Sequence, residues 1–397
     1  MKPRIIKAIL ICALVGYMSL AVYFIIQGDD FRILAGGAGD PNSIENSPRS
    51  RVGNVIPVLI LACNRSRALE TVLRQVVAIV DQRQFPITVS LDCEHEPTEA
   101  IAKKFNVSYI EQPDQSKLTH GHASFNIEGY HRLSRHYRWA LDQMVNVRHK
   151  ESRSLIILED DLNVSKDLFS YFSALSELME KDKTLLCVSG YNDNGKTESI
   201  DASDPCRLWR SEFFPGLGWM TTSAIVRELL AKWPAVFWDD WLRQSTQRKG
   251  RNCIRPEVSK TTTFGKEGVS SGQFFDLHLA TVQLNKVDCQ YGPKEIEAIT
   301  AKAFDHRFRD EVLAAKKLSS ESLSEIDPGL AVKVICDSLE EWKNITTLLN
   351  IMPDIRSGVA RNAFKNVVPT FFRGSRVYID VKKIIEDSGM RDAAVSS

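Results

Sequence analysis

Val55-Ile56-Pro57-Val58-Leu59-Ile60-Leu61-Ala62 is a run of eight residues without a polar side chain. A strand with one wet face alternates apolar and polar residues. An unbroken run of this length belongs instead to a strand buried on both faces of a parallel sheet. The polar turn Asn64-Arg65-Ser66 follows, and the amphipathic stretch from Arg67 to Val80 predicts a helix. The pattern then repeats: Ile87 to Leu91 reads as a strand, Glu99 to Phe105 as a helix and Val107 to Ile110 as a strand. Arg132 to Val145 reads as a further helix and Ser154 to Leu158 as a further strand. This alternation predicts a doubly wound α/β domain. Ligands in such sheets bind beyond the carboxyl ends of the strands. That rule singles out Arg65, Asp92 and the triplet Glu159-Asp160-Asp161.

Around this core the chain is organised in simple blocks. Ala8 to Ile26 carries no charge; at ~1.5 Å per residue it is long enough to span a bilayer. Lys2, Arg4 and Lys7 precede it and Asp29 and Asp30 follow, so residues 1–7 are expected in the cytosol and the rest across the membrane. A cleaved signal peptide would have a shorter apolar region ending near small residues, whereas this one ends in Tyr23-Phe24-Ile25-Ile26. Residues 27–54, rich in Gly, Asn, Ser and Arg, read as a stem. Residues 55–285 carry the α/β pattern. Residues 286–397 read as a smaller C-terminal unit, with helical stretches at Lys294–Lys317 and Ser338–Asn350 and strands at Val367–Phe372 and Val377–Val381. Charge is balanced, 51 Lys+Arg against 50 Asp+Glu, so no global field draws in nucleic acid. With 43% hydrophobic and 25% charged residues the chain is neither disordered nor fibrous. Eight cysteines show no zinc spacing; seven of them follow the apolar span, which suggests disulfides in an oxidising compartment. Asn64, Asn106, Asn163 and Asn344 head glycosylation sequons.

Three segments could carry chemistry. Glu159-Asp160-Asp161 ends the apolar strand, and three neighbouring carboxylates repel unless a cation or a donor network answers them. A hard divalent ion bound by one or two carboxylates plus substrate phosphates would do so. The alternative is a solvated turn or the cap of a helix running from Asn163 to Phe172. Phe237-Trp238-Asp239-Asp240-Trp241-Leu242-Arg243 sets two carboxylates between tryptophans, which suits a general base beside a sugar-stacking face, or equally an aromatic core. Phe264 to Phe275 holds Gly265, Gly268 and Gly272 with Ser270 and Ser271, as either a closing loop or an ordinary surface loop. His136 on its helix is equally a packed core histidine. No GxxxxGK[ST], GxSxG or HExxH motif occurs.

Taken in order, CNRS (Cys63–Ser66), SLDCEHE (Ser90–Glu96), RHYRWAL (Arg135–Leu141), LEDDL (Leu158–Leu162), YNDNGK (Tyr191–Lys196), FFPGLGWM (Phe213–Met220), KWPAVFWDDWLR (Lys232–Arg243) and GVSSGQFFD (Gly268–Asp276) resemble one family. It is the N-acetylglucosaminyltransferase I family of Golgi enzymes, and the likeness is strong over residues 55–290. The resemblance implies a GT-A (Rossmann-like) fold, a Mn²⁺ cofactor, UDP-N-acetylglucosamine as donor and a five-mannose N-glycan as acceptor. It implies that Asp161 is the metal ligand, with Glu159 and Asp160 on the sugar nucleotide. Arg65, Asp92 and His136 would hold the uridine end, and Asp239 would be the base, supported by Trp238 and Arg243. The loop from Lys266 to His278, with Ser270, would order over the donor. Cys63–Cys93 and Cys187–Cys253 would be disulfides, while Cys206, Cys289 and Cys336 match nothing nameable. A type II Golgi membrane protein with a lumenal catalytic domain is thereby expected.

The implied chemistry is one inverting displacement, because an α-linked donor gives a β-linked product. Two alternatives remain open: transfer of β-1,2-GlcNAc to O-linked mannose, and a catalytically silent lumenal glycan-binding protein. The first branch resembles EED rather than EDD and lacks the first cysteine pair. Intact Asp161 and Asp239 weigh against the second.

Overall fold

The chain opens with β1 (Val58–Ala62), α1 (Ser66–Ile79), β2 (Ile87–Leu91), α2 (Glu96–Lys104), β3 (Ser108–Glu111), α3 (Phe125–Asp142) and β4 (Ser154–Glu159). The computed structural model describes residues 55–117, 125–269, 272 and 274–387. The expected span Ala8–Ile26, the 27–54 stem and Ser270 lie outside them. No helix among the described residues is long and apolar enough to cross a membrane.

Every residue of β1 is buried, between parallel neighbours β2 and β4. Its alternate side chains enter different cores. Val58, Ile60 and Ala62 pack with Leu69, Val72, Leu73 and Val76 of α1. Leu59 and Leu61 pack with Tyr137, Ala140 and Leu141 of α3. The strand is apolar throughout because a helix covers each face. Each fully buried Leu or Val of α1 contributes roughly 1.5–3 kcal/mol through removal from water.

Beyond β4 come β5 (Leu162–Val164), α4 (Leu168–Lys181), β6 (Leu185–Ser189), β7 (Leu208–Ser211), β8 (Trp219–Thr222), α5 (Ser223–Leu230), α6 (Trp238–Arg243), β9 (Asn252–Pro256) and β10 (Thr261–Thr263). The main sheet has the order β3-β2-β1-β4-β8-β6-β9-β7. Its first four strands are parallel, as the alternation predicts. Its second half is mixed, because β8 runs antiparallel to both β4 and β6, and β7 antiparallel to β9. These strands mix apolar residues with buried polar ones such as Arg210, Thr221 and Arg255, and neither kind carries strand direction.

The acidic triplet does not cap a helix at Asn163. The chain enters β5, and the helix begins at Leu168. Asn163 accepts from Gln75 at 3.2 Å within that strand, so its sequon is engaged in the fold.

The C-terminal region forms a four-stranded sheet of β11 (Lys316–Leu318), β12 (Val332–Ile335) and the strands Ser375–Asp380 and Val367–Phe372. Val332, Val334, Trp342, Ile345, Val368, Val377 and Ile379 pack beneath it with Phe213. Phe304, Phe308 and Tyr378 join the main core instead, and Trp209 meets Phe304 and Phe308 edge to face.

Cys63–Cys93 ties the ends of β1 and β2, and Cys187–Cys253 joins register partners on β6 and β9. A third bond, Cys206–Cys289, closes the segment that contains α6 and the 264–279 loop. Cys336 is a buried free thiol.

β5 and β10 form an antiparallel ribbon, Leu162 opposite Thr263, that carries Asp161 at one end. At its other end Lys260, wholly buried, meets buried Asp167 at 2.5 Å. Asp167 also accepts from Ser165 (2.7 Å), Asn285 (3.1 Å) and the Cys289 backbone N–H (3.3 Å). Asp167→Ala strands a buried ammonium and should cost about 3–5 kcal/mol in urea unfolding. Lys260→Met should cost less, since Asp167 keeps three donors; the reverse ranking would show that the pair does not hold the ribbon.

Candidate active site

The register Leu61 opposite Glu159 sets the turn after β1 beside the acidic end of β4. Arg65 reaches across it. One guanidinium nitrogen, Nη1, contacts Asp161 Oδ2 at 2.7 Å and donates to the Glu267 carbonyl at 3.0 Å, while Nη2 pairs with Asp160. Burial opposes the arginine's charge, but Asp160 and Asp161 outweigh it and hold the guanidinium firmly protonated. The acids respond differently. Burial, with repulsion from Asp161, pushes Glu159 up to about 7, although Tyr137 Oη donates to it. Burial lifts Asp160 to about 6 against the pull of Arg65.

Asp160 Oδ2 and Asp161 Oδ1 are buried and have no hydrogen-bond partner. Each of these carboxylates spends one oxygen on Arg65, and the Cys63 backbone N–H also donates to Asp160, so Asp161 Oδ1 is the oxygen left to a cation. Such a site fits a hard divalent ion, which takes oxygen ligands. No cluster of three or more His, Cys, Asp or Glu ligands exists among the described residues. A Mg²⁺- or Mn²⁺-type ion does not require one, because it completes its shell with phosphates and water.

The loop after β10 lies directly on this carboxylate. The Phe264 N–H donates to the Asp161 carbonyl at 2.9 Å, and a Cβ added at Gly265 would stand 2.0 Å from Asp161 Oδ2. Gly265 lies outside the left-handed region, so Gly265→Ala acts through that overlap alone. It should weaken metal-dependent UDP binding about tenfold or more in a calorimeter, with little change in melting temperature. Unchanged affinity would mean that Asp161 Oδ2 is free to move.

Asp92 ends β2 and is buried, accepting from Gln115 at 2.7 Å. His136 on α3 bonds Ser90 at 2.8 Å. Burial outweighs the nearby Asp92 and depresses His136 to about 4, which keeps the imidazole neutral. Asp92, directly after β2, and His136, bonded to Ser90 of that strand, are therefore buried, organised groups on the strand next to β1.

Asp239 comes from the other side. Trp238, the first residue of α6, stacks on Tyr137 at 4.1 Å, with Trp233 at 5.8 Å and Trp219 at 6.3 Å. Of the two readings that the motif left open, aromatic packing describes the Trp238 ring in this structure. The Trp238 ring is buried among aromatics, and its contact with Tyr137 docks α6 onto α3. Asp239 follows with its side chain 42% exposed. Arg243 Nη1 bridges Asp239 (2.9 Å) and Asp240 (2.7 Å), and its Nε donates to the Phe214 carbonyl at 3.1 Å. Tyr137 joins the two halves: its hydroxyl is pushed upward by burial, then by Glu159, Asp161 and Asp239 in turn. Arg65, Glu159, Asp160, Asp161 and Asp239 thus share one electrostatic neighbourhood. Sequence reasoning missed Tyr137 and Gly265, although Tyr137 lies inside RHYRWAL and Gly265 inside a loop singled out for its glycines.

Over residues 36–391 the sequence matches the model of the GNT-I family, and on that ground the protein is a glycosyltransferase. The chain belongs to the GNT-I family. It is 34% identical over 319 residues to an Arabidopsis thaliana alpha-1,3-mannosyl-glycoprotein 2-beta-N-acetylglucosaminyltransferase, covering 79% of this chain and 71% of that protein. A Pyrobaculum calidifontis mannosyltransferase solved with GDP-Man and Mn²⁺ aligns at 15% identity and a TM-score of 0.33, over 64% of this chain and 69% of its own. S. aureus TarS aligns at 13% identity and a TM-score of 0.34, over 52% and 58%. Superpositions this partial carry no weight for the site.

Proposed function

We propose that the protein transfers N-acetylglucosamine from UDP-GlcNAc, with inversion, to the 2-hydroxyl of the α-1,3-arm mannose on a five-mannose N-glycan. The observation that carries this reading is that Tyr137 donates to Glu159 of the acidic strand end and stacks on Trp238, next to Asp239, in a chain of the GNT-I family. We read the fold as GT-A (Rossmann-like), with residues 55–285 as the catalytic domain and 286–397 as its C-terminal unit.

Asp239 takes the proton of the attacking mannose hydroxyl, a role that requires the partial exposure its carboxylate has. Arg243, fixed by the Phe214 carbonyl, holds that carboxylate in place. Mn²⁺ held by Asp161, with Asp160 beside it, would supply the positive charge that offsets the leaving diphosphate. Arg65 adds a second, permanent positive charge at the same strand end. Asp92 and His136 hold the uridine end, and Glu159 contacts the sugar nucleotide. The 264–279 loop, with Ser270, excludes water that would otherwise hydrolyse the donor.

Incubation with UDP-GlcNAc, Mn²⁺ and a five-mannose glycan should give a β-1,2 linkage on the α-1,3 arm by NMR. Transfer only to an O-mannosyl peptide, or no transfer with glycan binding retained, would replace this reading by one of the two alternatives.

Three disulfides support an oxidising compartment, and we place the protein in the Golgi membrane with Ala8–Ile26 as a single type II anchor. In sealed microsomes residues 55–387 should resist added protease until detergent is present. Digestion without detergent would reverse the topology.

A further inference from the structure

Phe237 has φ +50°, in the left-handed region that a bulky side chain occupies only at a cost of order 1 kcal/mol or more. Such strain persists where the surroundings hold it in place. Here they do not bury the ring, because Phe237 remains 41% exposed. Its ring rests against Tyr130 on α3, with centroids 4.6 Å apart. Ile127, one turn earlier on the same helix, is 40% exposed. Gly129 lets Val269 of the 264–279 loop approach the α3 backbone next to them, since an added Cβ would meet Val269 at 2.9 Å. An apolar lip of Ile127, Tyr130 and Phe237 therefore stands at the site, between α3 and α6.

Its place in the fold is specific. Phe237 precedes Asp239 by two residues, in the turn that starts α6. The Tyr130 ring meets Phe237, two residues before Asp239, and its hydroxyl is pushed upward by burial and then by Asp239 and Asp240. A pyranose presents an apolar C–H face and a rim of hydroxyls. An aromatic lip next to a carboxylate matches both, with the ring against the face and the acid against one hydroxyl. The donor end of the site is already occupied by charge, from Arg65 and the triplet, which suits a diphosphate and not an apolar sugar face. Trp238 offers no alternative, because aromatic neighbours surround its ring.

We propose that the Tyr130–Phe237 pair is the acceptor platform, on which the acceptor mannose stacks with its reactive hydroxyl toward Asp239. This deepens the function proposed above and rests on it for the identity of the sugar. The left-handed backbone at Phe237 starts α6 beside Tyr130, and docking of α6 through Trp238 holds the pair at that point.

Phe237→Gly separates binding from folding. Glycine adopts φ +50° without penalty, so the melting temperature should hold or rise while the ring is lost. The KM for the five-mannose glycan should rise about tenfold or more, with the KM for UDP-GlcNAc changing less than about twofold. Phe237→Trp should restore most of the loss, which a purely structural role for Phe237 does not predict. A glycan KM within about twofold of wild type in Phe237→Gly would overturn the proposal, and so would a rise confined to the donor KM. Saturation-transfer NMR of the five-mannose glycan with UDP and Mn²⁺ present tests the platform without turnover. If wild type binds glycan but transfers nothing and Phe237→Gly loses the binding, the platform stands and the transferase reading fails. If both bind equally, the platform fails whatever the turnover.

Discussion

Asp239→Asn should lower turnover by roughly 10²–10⁴-fold while leaving Mn²⁺-dependent UDP affinity nearly unchanged. The amide keeps the size of the carboxylate and its contact with Arg243, at 2.9 Å in the native chain, but cannot accept the hydroxyl proton. A group that acts only in the transition state affects kcat and not donor binding. Asp240 provides the control. It lies at 2.7 Å from the same arginine nitrogen and is about as exposed, so the two acids differ little in charge environment. Their difference is position, and Asp239 is the one that adds to the upward shift of the buried Tyr137. Asp240→Asn should therefore cost less than about tenfold in turnover, mainly by loosening the hold of Arg243. Near-normal turnover of Asp239→Asn at every pH between about 6 and 8 would remove it from the mechanism.

The second large effect is expected at Asp161. Its Oδ2 is taken by Arg65 and its Oδ1 lacks any partner, so it is the carboxylate with an oxygen to give to a cation beside the substrate. Asp161→Ala removes that oxygen and leaves Arg65 paired with Asp160. The diphosphate then loses the charge that answers it, and Mn²⁺-dependent UDP affinity should fall about 10²-fold or more in a calorimeter. Melting temperature should change little, because Asp161 packs no core. Undiminished Mn²⁺-dependent binding would assign the ion to other residues.

Much of this site was legible because its parts obey local rules. β1 and β4 announce themselves as strands buried on both faces, and polar residues directly after such strands are where ligands bind. Arg65, Asp92 and the Glu159–Asp161 triplet follow from that rule alone, before any resemblance. Their electrostatics do not follow. That Glu159 rises toward neutral pH depends on burial and on the Tyr137 hydroxyl, which helix α3 brings from another part of the chain.

What the sequence by itself determined is the strand–helix alternation from β1 to β4, the parallel character it implies and the residues at the carboxyl ends of those strands. These depend on hydrophobic period and on turns, which act over a few residues. Only the tertiary structure decided the rest. The antiparallel β8, the Cys206–Cys289 pairing, the burial of Trp238 and the seating of Gly265 on Asp161 all join residues far apart in the chain. An isolated WDDW motif suits a sugar-stacking tryptophan as well as a core one. The choice fell to Tyr137, Trp219 and Trp233, whose rings close around Trp238 only once α3, β8 and α6 are packed together, because a side chain's exposure is set by what covers it and not by its own sequence neighbours.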